Sequence, residues 1–238
     1  MKKLLAIALM LTMVLSGAVL AETGETNPSV GSVVTFGSYE QDNDETNGKE
    51  PIEWIILDVN ADGSYVMISK YALDCKPYNT ESTEVTWETC TLRKWLNEEF
   101  YSVAFCAEEQ ARIVQTELLN ESNPAFGTPG GESTFDNVWL LSIHEVCDYF
   151  GGDRLLPYFT DDASRMCAPT DYAVAQGAYQ SLSFSVDGTG SCVWWLCSPG
   201  GTPWNAAAVY KEGHVDCYSG DGVSNSDVAV RPVLVILP

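Results

Sequence analysis

The residues best suited to chemistry lie between Ser191 and Pro238, where five aromatic side chains alternate with amides and carboxylates. Trp194 and Trp195 are adjacent, so on a strand they project to opposite faces, one toward the core and one toward a groove. Trp204 precedes Asn205, and Tyr210 and Tyr218 flank a Glu212-Gly213 turn. A flat ring removes apolar ligand surface from water, and neighbouring polar groups orient what binds, which is what sugar or peptide recognition requires. The candidate ligand-binding set is therefore Trp194, Trp195, Trp204, Asn205, Tyr210 and Tyr218. Core packing is the competing expectation for each ring, and the leading one for Trp54, Trp87, Trp95 and Trp139.

Three acids in Gly- and Ser-rich turns, Asp187, Asp221 and Asp227, are the candidate metal ligands. Carboxylates in flexible, oxygen-rich loops suit calcium, although the spacing is not that of an EF-hand. The expected cofactor list is otherwise empty. No Cys-x-x-Cys, His-x-x-x-His or His-Glu-x-x-His pattern occurs, so the ligand spacings of zinc sites are missing. No Gly-x-Ser-x-Gly elbow marks a nucleophile either. His144 and His214 are the two histidines, expected at a helix N-terminus and in a hairpin, both on the surface. Arg231, entering an apolar strand in an acidic chain, is expected to pair with a carboxylate.

Eight cysteines lie beyond residue 21, and an even number in an exported chain points to disulfides. They allow about 100 pairings. Two are favoured: Cys197 with Cys217, on strands expected to be neighbours, and Cys75 with Cys90, which would close a loop of about 14 residues and contribute about 3 kcal/mol. Buried thiols packing as small apolar groups are the alternative.

The elements that position these residues follow from pattern. Val30 to Tyr39, Ile52 to Val59 and Tyr65 to Ser69 have strand character. Asp62-Gly63 between the last two is a hairpin signal. Leu92, Trp95, Leu96, Phe100 and Val103 recur on one helical face, predicting a helix over Thr91 to Ala104. Glu108 to Leu119 carries a second helical pattern, and Val138 to Leu141 is a buried-strand run. Ser142-x-x-Glu145 is a capping box, starting a helix that runs to about Phe150. Asp171 to Gly177 forms a further helical turn. Val193 to Leu196, Ala206 to Tyr210, His214 to Tyr218 and Val228 to Leu237 complete the strands. The result is one α+β domain over residues 30–238, preceded by a polar tether at 22–29.

Residues 1–21 have the form of a secretory signal: Lys2 and Lys3, an apolar run from Leu4 to Leu15, and Val19-Leu20-Ala21 before Glu22. The apolar run is short for a membrane span. Cleavage there removes two lysines and no acid, taking the net charge from −21 to −23. Such acidity argues against nucleic acid and against anionic membrane surfaces, which select clustered Lys and Arg. The chain is thus expected to be secreted and extracellular, without membrane insertion.

Several long motifs also resemble a domain-of-unknown-function family of secreted Firmicutes proteins. They are VTFGSYEQDNDETNGKEPIEWIILDV, ISKYALDCKPYN, TWETCTLRKWLNEEFY, VWLLSIHEV, WWLCSPG and VRPVLVI. The resemblance runs over about residues 30 to 238 and implies a loop-rich C-type-lectin-like fold, with short antiparallel sheets and two or three helices. That fold is shared with formylglycine-generating enzymes. The family usually has Arg where Cys197 stands here, and the Glu-Pro-Asn and Gln-Pro-Asp triplets of sugar-binding C-type lectins are absent. The expected role is non-catalytic recognition of an extracellular ligand, a glycan first, through the C-terminal aromatic and polar loops. The alternatives are a protein- or peptide-binding or structural module of a cell-surface assembly, and an oxidase-like enzyme using Cys192, Cys197 or Cys217.

Overall fold

The computed structural model describes residues 28–151 and 160–238; the expected signal segment at 1–21 and most of the tether lie outside them. Two sheets carry the core. The first runs in the order β1 (Val33–Tyr39), β2 (Glu50–Val59), β3 (Tyr65–Ser69) and β13 (Val233–Ile236), with every pair antiparallel. Gly63 adopts φ +85° in the turn between β2 and β3, a conformation that glycine reaches without a Cβ clash. The second sheet runs β11 (Val215–Gly222), β10 (Asn205–Val209), β9 (Trp194–Pro199), β12 (Ala229–Val230) and β4 (Asp74–Cys75). Its β9–β12 pair is parallel and the others antiparallel. Two small hairpins stand apart: β5 (Thr116–Leu118) with β6 (Thr134–Asp136), and β7 (Gln180–Val186) with β8 (Thr189–Cys192).

The helices are short. α1 (Thr91–Trp95) passes through a wider turn at Leu96–Phe100 into α2 (Tyr101–Ala104), so the helix expected over Thr91 to Ala104 is present, but of its expected apolar face Val103 is exposed and Trp95 only part-buried. Its Leu92, Leu96 and Phe100 are all buried. α4 (Ile143–Phe150) begins with the expected capping box: Glu145 N donates to Ser142 Oγ (3.2 Å) and Ser142 N to Glu145 Oε2 (2.7 Å). α5 (Asp171–Ala175) is capped by Thr170. The architecture is a mixed, loop-rich α+β fold with mostly short antiparallel sheets.

Four expectations change. Glu108 to Leu119 is not one helix: α3 (Ala107–Gln110) stops, and the chain extends into β5 to pair with β6. Val138 to Leu141 is buried, but it meets the first sheet only through a bridge from Trp139 to Val233. Val228 to Leu237 divides into β12 and β13, which belong to different sheets. Pro232 lies between them and has no N–H for a ladder; its carbonyl accepts from Ser69 N (2.9 Å). Arg231 pairs with no carboxylate among the described residues; its Nε donates to Ser69 O (3.0 Å) and its guanidinium lies 5.0 Å from the Trp194 ring.

The expected tryptophan display is also overturned. Trp194 and Trp195 do point to opposite faces, but β9 is a central strand covered on both, and both rings have zero exposure. Trp194 Nε1 donates to Arg165 O (3.1 Å), and Trp195 Nε1 to Lys76 O (2.9 Å).

Neither favoured disulfide forms; the eight cysteines are thiols. Cys197 lies on β9 and Cys217 on β11, with β10 between them. Two strand spacings come to about 9–10 Å, beyond the reach of a disulfide. Cys75 points its Sγ at the carbonyls of Ser226 (3.2 Å) and Val228 (3.4 Å). Cys90 instead caps α1, accepting from Arg93 N (3.4 Å).

Candidate functional site

A cleft of about 390 Å³ opens beside α4. One wall is β5 with the segment that follows it, including Glu117, Leu119 and Glu121. The opposite wall is α4, with His144, Asp148 and Tyr149, while Val66 and Val235 of the first sheet supply apolar floor. The capping box fixes where α4 begins, and that places His144 at its second residue, facing the β5 wall. There His144 Nδ1 meets the Glu121 carboxylate.

The electrostatics are dominated by acid. Glu117, Glu121, Glu145 and Asp148 line the cleft against one histidine. Burial raises Glu145 above the ordinary carboxylate range, although hydrogen bonds from Ser142 and the pull of the Trp139 indole act the other way. Trp139 is 2% exposed and its Nε1–H lacks a hydrogen-bond partner, so it lies near the Glu145 carboxylate without bonding it. Burial, then the charges of Glu145, Asp58 and Asp148, pushes the Tyr149 hydroxyl up to about 12. An acidic cleft with hydroxyl and indole donors suits ligands rich in hydroxyl or ammonium donors and repels anions.

Cys197 also lines the cleft, but burial first, then Glu145 and Asp136, raises its thiol well above the usual value. Burial likewise raises Cys192, and Cys217 to about 12. Protonated thiols are poor nucleophiles, so these environments do not favour cysteine catalysis.

A narrow pocket sharing Glu121, Ser142 and Cys197 continues toward Pro199. Beyond it lies the Ser198–Asn205 loop. Gly200 N donates to Asn205 O (2.8 Å), and Thr202 Oγ1 to Asn205 Oδ1 (2.6 Å). Asn205 thus shapes the loop from within, while Trp204 is 47% exposed. Asn123 Nδ2 donates to Pro199 O (2.9 Å) and Cys217 O (2.8 Å), tying the 119–130 segment to the second sheet. The Phe126 ring then meets Tyr218 edge-on at 5.1 Å, with both half exposed. Tyr210 is instead stacked on His214 at 4.9 Å, away from this surface pair. Of the six expected ligand-binding residues, Trp204 and Tyr218 remain presented to solvent as exposed rings.

The expected metal ligands are not assembled. Asp187 is an exposed turn residue at φ +51°. Asp221 accepts from Asn225 Nδ2 (2.8 Å), and Asp227 is exposed. Among the described residues, the groups close enough to share a cation are Asp161, Glu212 and His214, and Glu40, Asp42 and Glu50. The first is already an ion network with Lys211, 3.3 Å from Glu212. The second braces its own loop, as Glu50 Oε2 accepts from Gln41 N (2.7 Å) and Glu40 Oε1 from Asp44 N (2.9 Å).

Sequence reasoning placed His144 on an exposed helix start and did not single out Glu121, Asp148 or Phe126. The capping box gave the helix start, but nothing local tells that residues near 120 fold back against it.

Residues 62–238 match the family described as Domain of unknown function (DUF6273). This chain belongs to that family. No curated protein and no solved structure matches it. The DUF6273 match contains the cleft apart from Asn60, and all of the Ser198–Asn205 loop.

Proposed function

We propose that this DUF6273 protein is an exported, non-catalytic recognition module of C-type-lectin-like architecture. Its ligand is a neutral or amine-bearing extracellular glycan. The observation that carries this reading is the cleft of about 390 Å³ with four carboxylates, His144 and Tyr149 on its walls. That volume lies within the small-molecule range. Carboxylates accept hydrogen bonds from sugar hydroxyls, and the apolar floor receives a pyranose face. Trp204, half exposed on the Ser198–Asn205 loop, offers a second plate on which an extended chain can stack. The acidity disfavours sulfated and sialylated sugars.

Glycan-array screening of residues 22–238, with calcium and with chelator, should give saturable binding to neutral or amino sugars. Titration calorimetry should then show Glu121→Gln, His144→Ala and Trp204→Ala weakening it at least tenfold, with little change in melting temperature. Binding that none of the three alters would overturn the site. A second reading, capture of a basic peptide, rests on the same four carboxylates. It is favoured if the arrays are empty and lysine-rich peptides bind in a salt-sensitive way.

A further inference from the structure

Away from the cleft, beneath β9, the core holds two thiols and a buried cation. Cys167 and Cys192 both have zero exposure. Cys192 N donates to Cys167 O (2.8 Å), and Ser191 Oγ donates to the same carbonyl (3.3 Å). Backbones joined by such a bond run about 5 Å apart, within the Cα span that a disulfide bridges. The Cys167 thiol points at the carbonyls of Lys70 (3.7 Å) and Ala168 (3.5 Å), and the two sulfurs are close enough to influence each other's ionisation.

Arg231, 2% exposed, is close enough for its charge to act on both sulfurs. Phe150 and Trp194 flank its guanidinium at 5.8 Å and 5.0 Å, and one terminal nitrogen, Nη1, has no hydrogen-bond partner among the described residues. An unpaired buried cation is costly, and an anion beside it relieves that cost. Burial opposes ionisation of Cys167, but neighbouring Cys192 and the Arg231 charge act the other way and lower the thiol below its usual value. Burial and its neighbour Cys167 raise Cys192. Cys167 is thus the more readily ionised sulfur of the two and Cys192 the less readily ionised.

We propose that Cys167 and Cys192 are a redox pair that closes into a disulfide near Arg231. The oxidant class is a low-molecular-weight disulfide. The Cys167 thiolate attacks one of its sulfurs, that S–S bond breaks, and one small thiolate leaves and takes a proton from solvent. Cys192 then releases its proton to solvent and attacks Cys167 Sγ, displacing the second small thiolate, which is protonated in turn. Two protein thiols are oxidised and one small disulfide is reduced to two thiols. Both sulfurs are sealed in the native core, so exchange occurs while the chain folds or opens locally.

The test is to refold the reduced protein in a glutathione/glutathione disulfide buffer, denature it in alkylating reagent without reductant, and map its peptides by mass spectrometry. The expected result is a Cys167–Cys192 crosslink that is absent from both Cys167→Ser and Cys192→Ser. Adding reductant to the oxidised protein should lower its melting temperature by several degrees, since the bridge restrains the unfolded chain. Alkylation of all eight cysteines after oxidative refolding would overturn the proposal, as would crosslinks joining Cys167 or Cys192 to other partners. Both outcomes are read on the wild-type chain and do not depend on either variant folding.

Discussion

Replacing Asp136 with Ala tests whether the wall of the cleft is held by one buried carboxylate. Asp136 is the last residue of β6 and has zero exposure. Its Oδ2 accepts from Trp87 Nε1 (2.9 Å) and Thr134 Oγ1 (3.0 Å), and its Oδ1 from the Arg93 Nε (2.7 Å). Removing the carboxylate leaves the Trp87 indole N–H, itself fully buried, without a partner; that alone costs about 1–3 kcal/mol. It also leaves the Arg93 guanidinium without its anion. Breaking a buried pair typically costs about 3–5 kcal/mol, and because the Arg93 side chain is 25% exposed, water partly compensates. A loss near 3–4 kcal/mol follows. With a urea m-value of about 2 kcal/mol/M, the unfolding midpoint should fall by about 1.5–2 M. Thr134→Val, which removes one neutral hydrogen bond, should lose about 1 kcal/mol. Asp136 pairs with Thr116 of β5, so near-native concentrations of denaturant should release the β5 wall in Asp136→Ala, seen as faster amide exchange around Glu117. A midpoint shift below about 0.5 M, or a loss no larger than that of Thr134→Val, would refute the reasoning.

The carboxyls of Glu145, Asp74 and Asp221 are all raised, chiefly by burial. Each binds its proton more tightly in the folded chain, so its support for folding is complete below the ordinary carboxylate range and fades as pH rises through the raised value. The melting temperature should therefore increase as pH is lowered from about 7.5 to about 5, with reduced self-repulsion of the acidic chain acting in the same direction. Below about 4 it should drop, because hydrogen bonds from Thr46 and Ser64 hold Asp44 and Asp62 below their usual range, and protonation removes those contributions. A steady fall in melting temperature from 7.5 to 5 would contradict this. Trp195→Ala should destabilise by about 3–5 kcal/mol, whereas Trp204→Ala should stay within about 0.5 kcal/mol of wild type; the opposite order in chemical denaturation would reverse their assignment to core and surface.

Local signals were legible where the physics is local. The Asp62-Gly63 turn, the capping box at Ser142 and the helix over Thr91 to Ala104 each act within a few residues, and each appears where expected, although Val103 of the expected apolar face is exposed. Failure came where the decisive partner is remote. Alternation along Trp194-Trp195 implies one open face only for a half-exposed strand, and β9 is covered on both by elements from distant parts of the chain. Glu121 and His144 meet across 23 residues, with no periodicity to announce it. The break at Arg231-Pro232 carried a signal in proline's missing N–H, but not the information that the chain changes sheets there.

That change of sheets has a kinetic consequence. β12 fills the place between β9 and β4 in one sheet, and β13 pairs with β3 in the other, joining Val233 to Ile68. Until residues 229–236 dock, the five-stranded sheet lacks the strand that joins its two parts and the four-stranded sheet lacks its last member. Nearly all the pairings these strands make are distant in sequence, which places them late and makes closure slow. The segment acts as a clasp: both sheets stay incomplete until it docks, and its docking shuts them together.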